Sequence, residues 1–501
     1  MNRFNERYSD IIYQLFHEDT WCSIGYLSEK TSYSKSTIWR EIGFMNFNLP
    51  PNWSIEKNEL KGIRLKKPSN GTIEDVLTYL RENNTYIQII GLIIFNNGIT
   101  VAELMEKIHL SRATVYRHIE KIKEVTSFNG ISISTNRLRL TGDERKIRRF
   151  IVQYLEFSNK LIDPSIVDTF NIADFKSKLL LSTEKYSIAL HMGALHRLAT
   201  IMDVINLRIS HGCYMKLPKY IHKEYGNSEF YKVASEMFNF MRKCPNRETQ
   251  MNEALYFSLN ILNEKIPVNK SKDIMEVRFR MRGNADDRAN LLSIFMEYLA
   301  NYLGFDIAQD DTFLYKLVQT FRRIYIDSQL GTNSINSAMV SYLPYVESNP
   351  LYKKIEDIIN KSLIDQDYSD NISVDRMGIF EIFLLVQAAL LRKKAQTVIT
   401  AALICRTFIE AEYIKQVLHY HFGSNLSLTV MDYIDNELLK KNNEYDLVVA
   451  VIDTDELNFE HLPIIKISTF PSKGELNVIE DFINSFFLDK WRINSDIFIH
   501  L

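Results

Sequence analysis

Two segments of this chain place cationic and hydroxyl side chains at one repeated spacing. Ser34-Lys-Ser-Thr-Ile-Trp-Arg-Glu-Ile42 returns 77 positions later as Ser111-Arg-Ala-Thr-Val-Tyr-Arg-His-Ile119. The serine, Thr37/Thr114, Arg40/Arg117 and Ile42/Ile119 are identical, while Lys35/Arg112, Ile38/Val115 and Trp39/Tyr116 match in kind. Arginine and lysine neutralise backbone phosphates, arginine also bridges guanine bidentately, and short hydroxyls hydrogen-bond either. The candidate DNA readers are therefore Lys35, Ser36, Thr37 and Arg40 in the first copy. In the second they are Arg112, Thr114, Arg117, His118 and Lys121, with His118 read as a polar contact and not as a catalytic group.

Such side chains need a helix that can enter a groove. In each copy a short helix and a tight turn precede the repeated segment, the layout of a helix-turn-helix. Residues 24–30 read as the first supporting helix, 31–33 as the turn and Ser34 as an N-cap, with Ile38, Ile42 and Met45 on one face. Residues 99–108 read as the second supporting helix, where Thr100 and Glu103 have capping-box spacing. Ser111 caps the next helix, whose Val115, Ile119 and Ile122 turn inward. A basic hairpin follows each copy. Residues 53–55 and 63–65 flank Asn58-Glu-Leu-Lys-Gly62 and offer Lys61, Arg64, Lys66 and Lys67 to phosphates. Residues 131–134 and 137–140 flank Thr135-Asn136 and offer Arg137 and Arg139.

Beyond Gly142 the pattern changes twice. Residues 143–393 carry a period near 3.6, broken at prolines and glycines into helix-length pieces. Two stretches, 165–275 and 283–393, hold about five such pieces each. From 397 onward apolar runs alternate with helical patterns. Strands are expected at 397–405, 426–430, 446–452 and 464–468, and helices at 410–421, 434–441 and 479–488. Alternation of this kind predicts a parallel sheet.

The remaining reactive side chains form no site of their own. The four cysteines (Cys22, Cys213, Cys244, Cys405) have no CxxC spacing, so neither a zinc ribbon nor a disulfide framework is expected, and a reducing cytoplasm fits. His191 and His196 are five apart and splay around a helix, unlike an HxxxH pair, so no metal is expected. Cys405 falls at a strand's carboxyl end, but the loop Arg406-Thr-Phe-Ile lacks the glycines of a phosphate cradle. No GxxxxGK, GxGxxG, GxSxG or HExxH supports an enzyme or a cofactor. No apolar run is long enough to span a bilayer, and no apolar segment follows the first residues as in a signal peptide.

Charge is unevenly spread along the 501 residues. The net value is −2, yet residues 1–160 hold 23 Lys+Arg against 18 Asp+Glu, and residues 395–501 hold 8 against 16. The basic part fits phosphate contact, and the acidic tail does not.

With Leu140-Thr-Gly-Asp-Glu-Arg-Lys-Ile-Arg148, the hairpin Leu60-Lys-Gly-Ile-Arg-Leu-Lys-Lys-Pro68 and Thr469-Phe-Pro-Ser472, the chain resembles the Mga/AtxA family of virulence regulators from Gram-positive bacteria. The resemblance implies a multidomain, mainly α-helical protein. Its order would be winged helix-turn-helix domains at 1–70 and 71–160, all-α phosphotransferase-system regulation domains (PRDs) at 165–275 and 283–393, and an α/β domain similar to the phosphotransferase EIIB component at 395–501. It implies a cytoplasmic regulator of double-stranded DNA, commonly an activator, forming homodimers or higher oligomers. It also implies tuning by phosphotransferase phosphocarrier proteins acting on a PRD histidine. The turn Arg208-Ile-Ser-His-Gly212 points to His196, with His191 and His211 as fallbacks. The second PRD departs from the pattern, because no histidine lies between His222 and His419. The tail resembles a carrier reused for dimerisation, with Cys405 near the contact. The competing readings are an RNA-binding PRD antiterminator, which would begin with a small β-rich domain, and a phosphoryl-carrier component of a sugar phosphotransferase system centred on Cys405 or a PRD histidine.

Overall fold

The computed structural model describes residues 7–18, 20–82, 84–158, 171–266, 287–329, 343–365, 374–431, 444–451, 462–491 and 495–498. Two compact units are present, one from residues 1–276, 319–348 and 367–380, the other from 277–318, 349–366 and 381–501.

The first unit opens with α1 (Arg7–Glu18), α2 (Ile24–Thr31) and α3 (Lys35–Phe47), then β1 (Ser54–Asn58), β2 (Gly62–Lys66) and α4 (Ile73–Glu82). The series then repeats as α5 (Thr85–Phe95), α6 (Val101–Ile108), α7 (Arg112–Phe128), β3 (Ile131–Ile133), β4 (Leu140–Gly142) and α8 (Glu144–Ser158). The 77-residue offset extends well beyond the motif. Cys22 pairs with Ile63 just before α2, and Ile99 pairs with Leu138 just before α6. Ser32 and His109 both end their helices in the left-handed region, at φ 57° and 53°. Ser23 and Thr100 cap the supporting helices, and Ser34 and Ser111 cap the longer ones. The capping box at Thr100 and Glu103 is formed.

Three details depart from the sequence expectation. Ile99 is not helical, because its N–H and C=O both bond Leu138 and hold it as a strand residue. The second wing strand is Leu140–Gly142, not 137–140, and residues 135–137 form the bend of the hairpin. Ser134 closes that hairpin, its hydroxyl donating to the carbonyl of Arg137. Alternation survives, with Leu138 and Leu140 buried and Arg137 and Arg139 exposed. The first wing extends further than expected, pairing Ser54 with Lys66 through Asn58 with Gly62.

The first unit continues with α9 (Ile172–Lys185), β5 (Ala189–Leu190), α10 (Ala194–Ser210), α11 (Lys219–Tyr225), α12 (Glu229–Glu236), α13 (Arg247–Glu264) and β6 (Lys265–Ile266). One cluster of buried side chains runs from Tyr86 through Leu104, Val115 and Phe150 to Leu198, Phe257 and Ile261. The second helix-turn-helix and the helical module after it therefore share a core. The first helix-turn-helix has its own, from Tyr8 to Leu80.

Five further helices follow in the described chain: α14 (Asp287–Leu303), α15 (Asp311–Gln329), α16 (Leu343–Glu347), α17 (Pro350–Asp365) and α18 (Arg376–Ala395). In the second unit, β7 (Ile399–Ile404), α19 (Phe408–Phe422), β8 (Leu426–Val430), β9 (Leu447–Ala450), β10 (Ile464–Lys466) and α20 (Lys473–Trp491) complete an α/β element. The sheet has order β10-β9-β7-β8 and is parallel throughout. Central strand β9 is buried at every position, as continuous apolar runs require in a covered parallel sheet. The helix expected at 434–441 lies outside the described residues.

Candidate nucleic-acid interface

Each recognition helix is set by its cap. The Ser34 hydroxyl accepts from Thr37 N–H at 3.2 Å, and the Ser111 hydroxyl accepts from Thr114 N–H at 3.4 Å. The threonine hydroxyls lie 2.9 Å from the same serines, so Thr37 and Thr114 belong to the caps. Ser36 Oγ lies 3.0 Å from Ser34 Oγ. Ile38, Ile42 and Met45 in α3, and Val115, Ile119 and Ile122 in α7, are buried, so the opposite faces reach solvent. Lys35, Ser36 and Arg40 stand on the first exposed face, and Arg112, Arg117 and Lys121 on the second.

The two faces differ in how much of their charge is already neutralised. In the first copy Arg40 pairs with Glu41 at 3.0 Å, and Glu56 takes Arg64 at 2.7 Å and Lys66 at 3.7 Å. Arg64, with Lys66, holds the Glu56 carboxyl below its ordinary range. Lys35 and Lys61 have no carboxylate partner among the described residues. In the second copy Arg112, Arg117, Lys121 and Arg139 have none either, and Arg137 donates to the Gly98 carbonyl at 3.3 Å. His118 is half-buried. Burial, then Arg117 and Lys121, push its pKa below the usual histidine value.

The first wing depends on one glycine. Gly62 has φ +95°, and a Cβ there would stand 2.2 Å from the Cys22 carbonyl oxygen. That carbonyl accepts from Ile63 N–H at 2.9 Å, which draws the hairpin against the start of α2. Asn58 Oδ1 accepts from Leu60 and Lys61 N–H and folds the tip, leaving Leu60 and Lys61 exposed.

Two aromatic residues also stand on these faces. Trp39 is 46% exposed and Tyr116 is 42% exposed, at equivalent positions of α3 and α7. Each carries a cation over its ring, Lys57 at 5.3 Å and Arg112 at 5.7 Å. They are the matched aromatic pair of the 77-residue repeat.

A buried ionic cluster joins α8 to α10 and α13. Arg148 of α8 is fully buried and bridges Glu253 of α13, with Nη2 to Oε1 at 2.9 Å. Its Nε donates to Glu144 at 2.9 Å, and Glu144 also receives Arg208 of α10 at 2.9 and 2.8 Å. Burial opposes charge on Glu144, but Arg208 and Arg148 hold its carboxyl below the usual range. Arg208, singled out for the Arg-x-x-x-Gly turn, thus ties the helical module to the winged domain.

The three candidate histidines occupy different settings. His196 is exposed in the first turn of α10, whose N-cap is Gly193. His191 is exposed, and its Nδ1 accepts from Gly193 N–H at 3.2 Å. His211 is half-buried at the end of α10; burial, then Arg208, push its pKa down to about 4. In the tail, Cys405 follows β7. Burial, then Glu410, push its thiol up to about 11. The Arg406 N–H beside it donates to Glu410 at 2.9 Å, so a loop amide that a phosphate would need is spent on a carboxylate. Among the described residues no three His, Cys, Asp or Glu side chains gather as a metal site, and no helix is long and apolar enough to cross a membrane.

Capped recognition helices, wings and a charged outer face define a helix-turn-helix protein. Residues 69–155 match the model of the Mga helix-turn-helix domain. Along its length the chain is similar to three Bacillus anthracis proteins. It is 22% identical to the capsule synthesis positive regulator AcpA, over 65% of this chain and 67% of that protein. It is 20% identical to the capsule synthesis positive regulator AcpB, over 97% and 99%. It is 18% identical to the anthrax toxin expression trans-acting positive regulator, over 95% and 98%. These matches bear out the resemblance to the Mga/AtxA family of virulence regulators.

Proposed function

We propose that this chain is a cytoplasmic transcriptional activator of virulence or surface genes that binds double-stranded DNA through α3, α7 and the two wings. The observation that carries the reading is the duplicated recognition helix with its outward cations, above all the unneutralised Arg112, Arg117 and Lys121. The relatives named as positive regulators of capsule and toxin genes support the sign of regulation. The test is titration of the full chain against labelled duplex DNA at several salt concentrations, with RNA as competitor. Log affinity should fall linearly with log salt, by about 0.9 per phosphate contact. Arg117→Ala and Lys35→Ala should each weaken binding and leave the circular dichroism spectrum unchanged. Displacement by RNA, or wild-type affinity in both variants, would overturn the assignment.

Regulation by phosphotransferase proteins is part of the same proposal, with His196 as the phosphorylated residue. Its exposure and its place in the first turn of a helix support it, since a phosphoryl group there adds charge beside the positive helix end. The half-buried His211 is the poorer acceptor. Reporter output and solution mass should shift in His196→Asp relative to His196→Ala; identical behaviour of both variants and wild type would remove the switch. Homodimerisation, mainly through the tail and the second PRD with Cys405 near the contact, completes the proposal; sedimentation of the full chain should find a dimer or higher oligomer, and a monomer at every concentration tested would remove it.

A further inference from the structure

We infer that Trp39 and Tyr116 are the apolar base contacts of the two recognition helices, each set to meet the C5-methyl group of a thymine in the major groove. The inference rests on the DNA-binding reading and deepens it. Large aromatic side chains normally bury most of their surface, because each carries a large apolar area. Here two aromatics stay about half exposed at positions 77 residues apart, on helices whose inner faces are fully packed. One exposed ring is unremarkable on a protein surface. The same exposure retained in both copies, where most neighbouring outer positions have changed, marks a shared task. Gly43 is replaced by Glu120, Phe44 by Lys121 and Phe47 by Glu124 at the equivalent places.

Groove chemistry narrows the task. Base edges in the major groove present donors, acceptors and a single apolar group, the thymine methyl. An aromatic ring one position before Arg40 or Arg117 sits beside the residue best suited to a guanine or a phosphate. The flanking cations suit this setting. Lys57 over Trp39 comes from the wing strand β1, and Arg112 over Tyr116 comes from the start of the same helix. Each cation covers one face of its ring and stands ready for an adjoining phosphate, so ring and charge approach the duplex together.

The experiment uses the full chain and the duplex it protects in footprinting, with each thymine in turn replaced by deoxyuridine, which lacks only the methyl. Wild-type protein should lose about fourfold in affinity at one thymine under each helix, the transfer free energy of one such group (about 0.8 kcal/mol). Trp39→Ala should bind the thymine duplex more weakly and become indifferent to deoxyuridine at its own position only. Tyr116→Ala should do the same at the other position. Trp39→Tyr and Tyr116→Leu keep an apolar body and should keep the discrimination, which guards against a folding defect in the alanine variants. Duplex binding with no methyl-sensitive thymine, or methyl sensitivity surviving in the alanine variants, would overturn the inference and leave the DNA-binding reading standing. Absence of salt-dependent duplex binding by wild-type protein would overturn both.

Discussion

At the scale of single residues, the side chains that matter most for stability are not those that face outward. Arg148 and Glu253 are both fully buried and satisfy each other. Glu253→Gln should cost about 3–5 kcal/mol in urea unfolding, because it leaves the buried guanidinium with Glu144, a carboxylate it must share with Arg208, as its one counter-charge; a loss under about 1 kcal/mol would mean that Glu144 alone can carry the charge. His211 makes the junction sensitive to acid. Its folded pKa is about 4, against 6.5 for the free side chain. Between those values the unfolded chain binds a proton that the folded chain refuses, so this residue's contribution to stability falls as pH drops through the window. The stability gap between wild type and His211→Gln should therefore shrink on going from about pH 7 to about pH 5; an unchanged gap would count against burial as the cause. Asp203 acts in the opposite direction. Burial raises its pKa to about 6, so its contribution is greatest in acid and declines as pH rises. None of these roles was legible in the sequence. Arg148 entered only as the end of the Leu140–Arg148 segment, and its burial depends on α13, a hundred residues away.

At the scale of elements, much was legible because local chemistry settles it. Ser34, Thr100 and Ser111 cap as their spacing predicts, since an N-cap needs only its own next three residues. The parallel sheet of the tail follows from alternation of apolar runs and helices. What failed was local pattern overruled by a distant partner. Ile99 fits a helical face, but Leu138 claims both of its backbone groups for a strand pairing. The outer strand of the second wing starts later than its alternation implies because the Ser134 hydroxyl closes the hairpin at the Arg137 carbonyl. The first wing gives the clearest element-level prediction. Gly62→Ala forces a side chain into left-handed backbone and onto the Cys22 carbonyl. It should cost about 1–3 kcal/mol and lower DNA affinity through the displaced Lys61 and Arg64; a variant as stable as wild type would mean that the hairpin shifts freely.

At the scale of the whole molecule, burial shows which parts of the first unit share a core. The second helix-turn-helix shares its core and its ionic cluster with the helical module, whereas the first has a separate core. Amide exchange should accordingly find α5 to α8 opening together with α10 and α13, and α1 to α3 opening separately and more easily. Exchange of α7 independently of α10 would contradict a shared core. The two halves of the duplication meet where Arg81 of α4 lies over the Phe157 ring at 4.5 Å and reaches its carbonyl at 3.5 Å. Counted with the 77-residue offset, Arg81 corresponds to Ser158 and Phe157 to Leu80, so the halves touch at nearly the same point of the same helix. With both recognition helices on one duplex at a set span, the protein becomes a gauge of helical phase. One base pair inserted between the contacted segments turns the second away by about 35°, and a full turn of about ten restores it. Affinity measured along a ladder of such insertions should rise and fall with that period, and a flat ladder would mean that the two halves grip DNA one at a time.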